Sequence, residues 1–209
     1  MVNKELEALW QEYKTLYRSG GDRAEEFYRS NIFAKVIEQW DKTPKVNGFA
    51  ASVHTLGKSP ETVVLAARKL AAKRVYVLYT KDTEEHLKML STQVDAVIHP
   101  YEVDAVDLAR IYKIVKEIAE RHHGEQLAFD PTGGTKAMTA GLSAAAFTLR
   151  GIGFDVSVFY IETRYEREDR LPRPIPGTEK LTALKDPLEE LGELDAQKAR
   201  TLFRNGNYS

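Results

Sequence analysis

The chain has 209 residues, 43% of them hydrophobic and 29% charged, with Lys+Arg 30 against Asp+Glu 31 and no cysteine. That length suits one sizeable α/β domain with an extension, folding on its own core, and is too short for two large domains. The missing cysteine excludes a disulfide framework, a thiolate zinc site, an iron–sulfur cluster and a cysteine nucleophile, and the near-neutral charge argues against a broad basic face for duplex DNA.

The start MVNKELEALW places acids where a secretory signal would run basic and then apolar. No stretch approaches the ~18–20 apolar residues of a membrane span, so no membrane partner is expected and the cytoplasm is the default location. Leu6, Leu9, Trp10, Tyr13, Leu16 and Tyr17 recur at i, i+3, i+4 spacing and predict a helix that Gly20-Gly21 ends. Asp22 followed by Glu25 reads as a capping box for a second helix, whose Phe33, Val36, Ile37 and Trp40 make another apolar stripe before Asp41-Lys42-Thr43-Pro44 stops it. Residues 1–45 therefore read as an N-terminal helical hairpin. Its aromatic stripe would also suit a partner surface, but most such stripes are core.

From Gly48 apolar runs of strand length, 49–53, 75–79, 96–98, 127–129 and 154–161, alternate with helical periodicity over 60–72, 83–92, 104–122 and 135–150. Strands of Val, Ile, Leu, Tyr and Phe without polar alternation are buried on both faces. This predicts an α/β, Rossmann-like, mainly parallel sheet with helices on both faces, over residues 46–185, with its ligand loops beyond the carboxyl ends of the strands. A charged stretch, 162–169, leads into LPRPIPGTEKL, whose three prolines and glycine forbid regular helix, and a short strand over 181–184 follows. The closing LDAQKARTLFRNGNYS predicts a helix through Ala196, Ala199, Leu202 and Phe203, capped at Asn205-Gly206.

The strongest local signal is FDPTGGTKAM. Phe129 ends a strand, Asp130-Pro131-Thr132-Gly133-Gly134 form a turn, and Thr135 and Lys136 open a helix with a small-residue face, Ala140, Gly141 and Ala144. Two glycines let backbone approach a ligand closely, and the N–H groups of the first helical turn favour an anion or a base edge. A Walker A loop would need glycine where Phe129 sits and Ser or Thr where Ala137 sits, and GxGxxG is absent. Taken singly, the motif is equally a turn joining strand to helix. In a second loop, His54-Thr55-Leu56-Gly57-Lys58-Ser59-Pro60-Glu61, Ser59 suits an N-cap and Pro60 the first helical position. A third, Thr80-Lys81-Asp82-Thr83, again offers hydroxyls and a lysine.

All three loops fall at carboxyl ends of predicted parallel strands, so Lys58, Lys81 and Lys136 converge on one edge with three helix N-termini. Such an electropositive crevice suits a phosphorylated ligand, with Thr55, Ser59, Thr80, Thr132 and Thr135 as hydroxyl donors. No metal set emerges: His122-His123 are adjacent and point different ways, and His54, His86 and His99 are scattered. Asp130 is expected to accept backbone N–H bonds rather than to act as a base.

The loop ending in SPE, the Thr-containing loop after the second strand and DPTGGTKAM together resemble the CRISPR-associated Rossmann fold (CARF) domains, and PRPIPGTEKL with LFRNGNY resembles the Cas02710-type group among them. The resemblance covers about residues 46–209 and leaves the helices at 1–44 outside. It implies a type III CRISPR antiviral sensor: a homodimer whose paired loops bind cyclic oligoadenylate, the tetra-adenylate favoured over the hexa-adenylate, and switch on a downstream effector. Carried over by motif, the ligand contacts are Thr55, Gly57, Lys58, Ser59, Thr80, Thr132, Gly133, Gly134, Thr135 and Lys136, with Lys81 added by the crevice; no metal and no cofactor are implied. The effector is often a ribonuclease with an Arg and a His a few residues apart, and residues 185–209 contain no His. Residues 186–209 thus read as a linker and helix leading to an effector domain, and the chain as the sensor portion of a longer protein. The alternative is a metal-independent ring nuclease using Lys136 with Ser59. A Rossmann nucleotide-cofactor enzyme is more remote, for want of GxGxxG.

Overall fold

The computed structural model describes residues 4–20, 22–166, 171–187 and 192–204. Helix α1 (Lys4–Arg18) is followed by α2 (Asp22–Phe27), a π-helical segment Tyr28–Phe33 and α3 (Ala34–Asp41). Leu6, Trp10 and Tyr13 of α1 pack into one buried cluster with Tyr28, Ile32, Phe33, Val36 and Trp40, so the aromatic stripe is core. Trp10 and Tyr13 stack with ring centroids 4.9 Å apart. Asp22 is already helical, one position inside the expected cap, and Glu25 accepts from Arg173 Nε at 3.1 Å and Nη2 at 2.5 Å.

The strands are β1 (Ala51–Thr55), β2 (Arg74–Tyr79), β3 (Val97–Glu102), β4 (Leu127–Asp130), β5 (Val156–Glu162) and β6 (Lys180–Leu184). Between them run α4 (Pro60–Leu70), a 3-10 turn Lys81–His86, α5 (Leu87–Gln93), α6 (Leu108–Arg121) and α7 (Lys136–Gly151), and α8 (Glu193–Arg204) follows β6. The sheet order is β3-β2-β1-β4-β5-β6, parallel throughout except for β6, which runs antiparallel to β5. Alternation along β2 divides the core. Val75, Val77 and Tyr79 face α1 to α5, while Tyr76 and Leu78 face α6 and α7.

Three details depart from the expected elements. Strand β3 runs through Pro100 to Glu102, longer than expected, because it lies at the sheet edge, where a residue without an N–H is tolerated. On α7, Gly141 packs on α6, where a Cβ would lie 2.9 Å from Leu108 Cδ2, but Ala140 and Ala144 are exposed, so the small residues do not share one packed face. The Asn205-Gly206 cap lies outside the described residues.

The hairpin docks on α4. Trp40 Nε1 donates to the Leu65 carbonyl at 2.8 Å, and Lys69 Nζ donates to the Trp40 carbonyl at 3.0 Å and the Thr43 carbonyl at 3.3 Å, closing the end of α3. Burial lowers the Lys69 pKa below its ordinary value. Among the described residues no helix is long and apolar enough to cross a membrane.

Candidate functional site

Chain order reverses between β1 and β4, so the helices that follow these strands, α4 and α7, pack on opposite faces of the sheet and a crevice forms at the strand ends. A cleft of about 490 Å³ lies there, lined by Leu56, Gly57, Lys58, Ser59, Thr62, Thr80, Asp82, Thr83, Thr132, Gly133, Gly134, Thr135, Tyr160, Ile161, Thr163 and Tyr165.

The glycines are explained by contact between the two loops. A Cβ on Gly57 would sit 2.7 Å from the Gly134 nitrogen, and one on Gly133 would collide with the Thr55 carbonyl oxygen. Gly134 has φ +81°, and a Cβ there would lie 2.9 Å from Thr55 Cβ. Backbone approaches backbone here, so the glycines serve first to interlock the β1 and β4 loops. Thr55 is fully buried and donates to the Gly133 carbonyl at 2.6 Å. Thr139 adds bonds to the Pro131 carbonyl at 2.8 Å and the Gly133 carbonyl at 3.2 Å.

Beneath the loops runs a buried polar chain. Ser52 Oγ lies 2.8 Å from His54 Nε2, and His54 Nδ1 lies 3.1 Å from Asp130 Oδ2. Asp130 Oδ1 accepts from the Thr132 amide at 3.0 Å and from its hydroxyl, and the Thr132 oxygen accepts from the Ile161 amide at 2.8 Å. The order Ser–His–Asp is that of a hydrolytic triad, but Ser52, His54 and Asp130 are each 0% exposed, so no substrate reaches them. The chain joins β1, β4 and β5 and fixes the threonine of the glycine loop. Asp130 thus accepts backbone N–H as expected, and His54 has a packing role.

The expected contacts divide. Gly57, Lys58, Ser59, Thr80, Thr132, Gly133, Gly134 and Thr135 line the cleft. Thr55 does not, because its hydroxyl is spent on Gly133. Ser59 precedes α4 without a side-chain capping bond, so its hydroxyl is exposed and open to a ligand, whereas Thr135 caps α7 by accepting from the Met138 amide at 3.3 Å. The three lysines do not share one cleft. Lys58 lines it; Lys81 lines an adjoining depression of about 510 Å³ with Asp82, Glu102, Asp104 and Arg110; Lys136, exposed at the start of α7, lines neither. The positive potential at the crevice therefore comes chiefly from Lys58 and the N-termini of α4 and α7, against the carboxylate of Asp82.

Leu56, Thr62, Asp82, Thr83, Tyr160, Ile161, Thr163 and Tyr165 also line the cleft and are not among the contacts expected from the motifs. Thr62 follows Ser59 by one helical turn and was legible from that spacing, whereas Tyr165 lies in the charged stretch after β5, where composition suggests only solvated chain. Next to Thr62, the buried Glu61 receives Arg173 Nη1 at 3.0 Å and Arg29 Nε at 3.5 Å. Burial works against the Arg173 charge, but its hydrogen bonds to Glu25 and the nearby Glu61 outweigh that and hold its pKa above the ordinary value.

Fold and cleft together define a Rossmann-like domain with a cleft at the sheet's switch point. In sequence, the chain is similar to the CRISPR system endoribonuclease Csm6 of Thermus thermophilus, 37% identical over 209 residues, which cover 98% of this chain. The chain spans 45% of the length of that relative. The fold is shared with Enterococcus italicus Csm6 bound to cyclic hexa-2′-fluoro-hexa-dAMP, at a TM-score of 0.55 and 11% identity over 77% of this chain and 46% of that one. Can2 from Sulfobacillus thermosulfidooxidans, in complex with cyclic tetra-adenylate, aligns at a TM-score of 0.46 and 22% identity over 54% of this chain and 32% of that one. No protein-family model matches the chain.

Proposed function

We propose that the chain is the sensor of a type III CRISPR antiviral protein, binding a cyclic oligoadenylate in the β1/β4 cleft, with the tetra-adenylate ring expected ahead of the hexa-adenylate. The observation that supports this best is the interlock of Gly57 with Gly133-Gly134, which presents the uncommitted Ser59 hydroxyl, Lys58 and the N-terminus of α7 to a single cleft. A small ring of phosphates needs local donors and few charges, which fits a chain of net charge −1. In this reading residues 46–185 sense the ligand, two copies pair around it, and 186–209 pass the signal to an output. The relative is named an endoribonuclease, and we propose ribonuclease activity as that output. Calorimetry with both rings tests the reading: micromolar or tighter binding of one ring is expected, and no heat with either rejects it.

Slow cleavage of the ring is the second reading, favoured by the free Ser59 hydroxyl beside Lys58. Metal-free conversion to linear product, lost in Ser59→Ala or Lys58→Ala, supports it, and an intact ring after overnight incubation rejects it.

A further inference from the structure

One part of the cleft lining comes from the end of β5 and the chain just after it, and that chain is held by the N-terminal hairpin. Tyr165 lines the cleft with 57% of its surface exposed, and Tyr160 with 40%. Among the described residues neither ring stacks on another aromatic side chain. An open aromatic face in a cleft that also presents the hydroxyls of Ser59, Thr62 and Thr163 offers what a phosphate does not need and an unpaired base does.

The neighbour of Tyr165 is anchored. Glu166 accepts from Trp10 Nε1 at 3.1 Å and from Lys14 Nζ at 3.0 Å, both on α1. On the other side the Ile175 amide donates to the Arg164 carbonyl at 2.7 Å, and the Arg164 amide donates to Thr178 Oγ1 at 3.1 Å. Residues 163–166 are thus pinned between α1 and the proline-rich turn before β6. The geometry points to a base-reading wall: Tyr165 stacks an unpaired purine of the ligand, and α1 sets its position through Glu166. This rests on the ring-binding reading above and gives the helices outside the sensor domain a part in recognition.

The test is calorimetry with cyclic tetra- and hexa-adenylate on the whole chain and its Tyr165→Ala, Tyr165→Phe and Glu166→Gln variants, with amide exchange of 163–166 followed in each. Tyr165→Ala raises Kd about tenfold or more, and Tyr165→Phe stays within about threefold because the face and not the hydroxyl is used. Glu166→Gln weakens binding less than Tyr165→Ala and speeds exchange at 163–166. Wild-type binding that Tyr165→Ala retains overturns the wall. Glu166→Gln matching the wild type in both Kd and exchange overturns the role of α1. Failure of the wild type to bind either ring is a different outcome that rejects the ring reading itself, and the exchange rates still decide whether α1 holds the segment.

Discussion

Gly133 and Asp130 sit three residues apart and limit the site in different ways. Gly133 leaves no room for a methyl beside the Thr55 carbonyl, so Gly133→Ala pushes the two loops apart. The expected cost is about 1–3 kcal/mol, seen as a Tm lower by several degrees, with ring binding lost along with the interlock. Asp130 is the hub of the buried chain, and Asp130→Ala strands the Thr132 amide and a ring nitrogen of His54. Each stranded group costs roughly 1–3 kcal/mol, so this variant melts earlier still, while Asp130→Asn, which keeps an acceptor for Thr132, loses less. A thermal melt ranks the three. These residues show what a motif reveals. TGGTK marked a turn between strand and helix, yet the reason for its glycines, contact with Thr55 and Gly57, depends on a distant loop earlier in the chain and has no local signature. Lys136 is the converse: its place in the motif implied a contact, and the first turn of α7 leaves it outside the cleft lining.

The elements were more legible than their junctions. Unbroken runs of Val, Leu and Tyr marked the buried strands, and the 3.6-residue stripes marked α1, α4 and α6, because one burial pattern dictates both. The π-helical segment Tyr28–Phe33 had no such mark, since it is fixed by what Tyr28 and Phe33 pack against. The docking of α3 on α4 was equally hidden. It uses Arg68, which donates from Nε to Asp41 Oδ1 at 3.1 Å and from Nη2 to Asp41 Oδ2. That hydrogen bonding, the largest cause, outweighs burial and holds the Asp41 carboxyl below its ordinary 3.8. A carboxylate depressed in the folded state adds stability above its unfolded pKa and loses it as pH falls through the folded value. Asp41→Asn should therefore cost about 0.5 kcal/mol at pH 6, roughly 1–2 °C in Tm, because the pair is part-exposed and screened. The gap between variant and wild type closes as the pH is taken below 3.8 and narrows in high salt. A gap that persists at low pH would mean that packing, not the ion pair, holds the two helices.

At the scale of the whole molecule, the proposed function asks a chain of net charge −1 to bind a polyanion, and among the described residues lining a single cleft Lys58 is the one cation. The proposed two-fold pairing would resolve this, because each ring would then meet two copies of Lys58 and two α7 N-termini. The consequence is numerical. An exposed contact of this kind contributes about 1 kcal/mol, so Lys58→Ala in a single-chain site weakens binding roughly fivefold, whereas in a paired site it removes about 2 kcal/mol, roughly 30-fold. Calorimetry reads the stoichiometry in the same titration: one ring per two chains accompanies the larger loss, and one ring per chain accompanies the smaller. Lys81 is the internal control, since it lines the adjoining depression among Asp82, Glu102 and Asp104, and Lys81→Ala is expected to change Kd less than threefold. Raising the salt from about 0.05 to 0.5 M should shrink the Lys58→Ala effect while leaving that of Tyr165→Ala in place, because screening acts on the charge and not on the stacked face. A loss of only fivefold with one ring per chain would leave the fold and the cleft as described and remove the pairing.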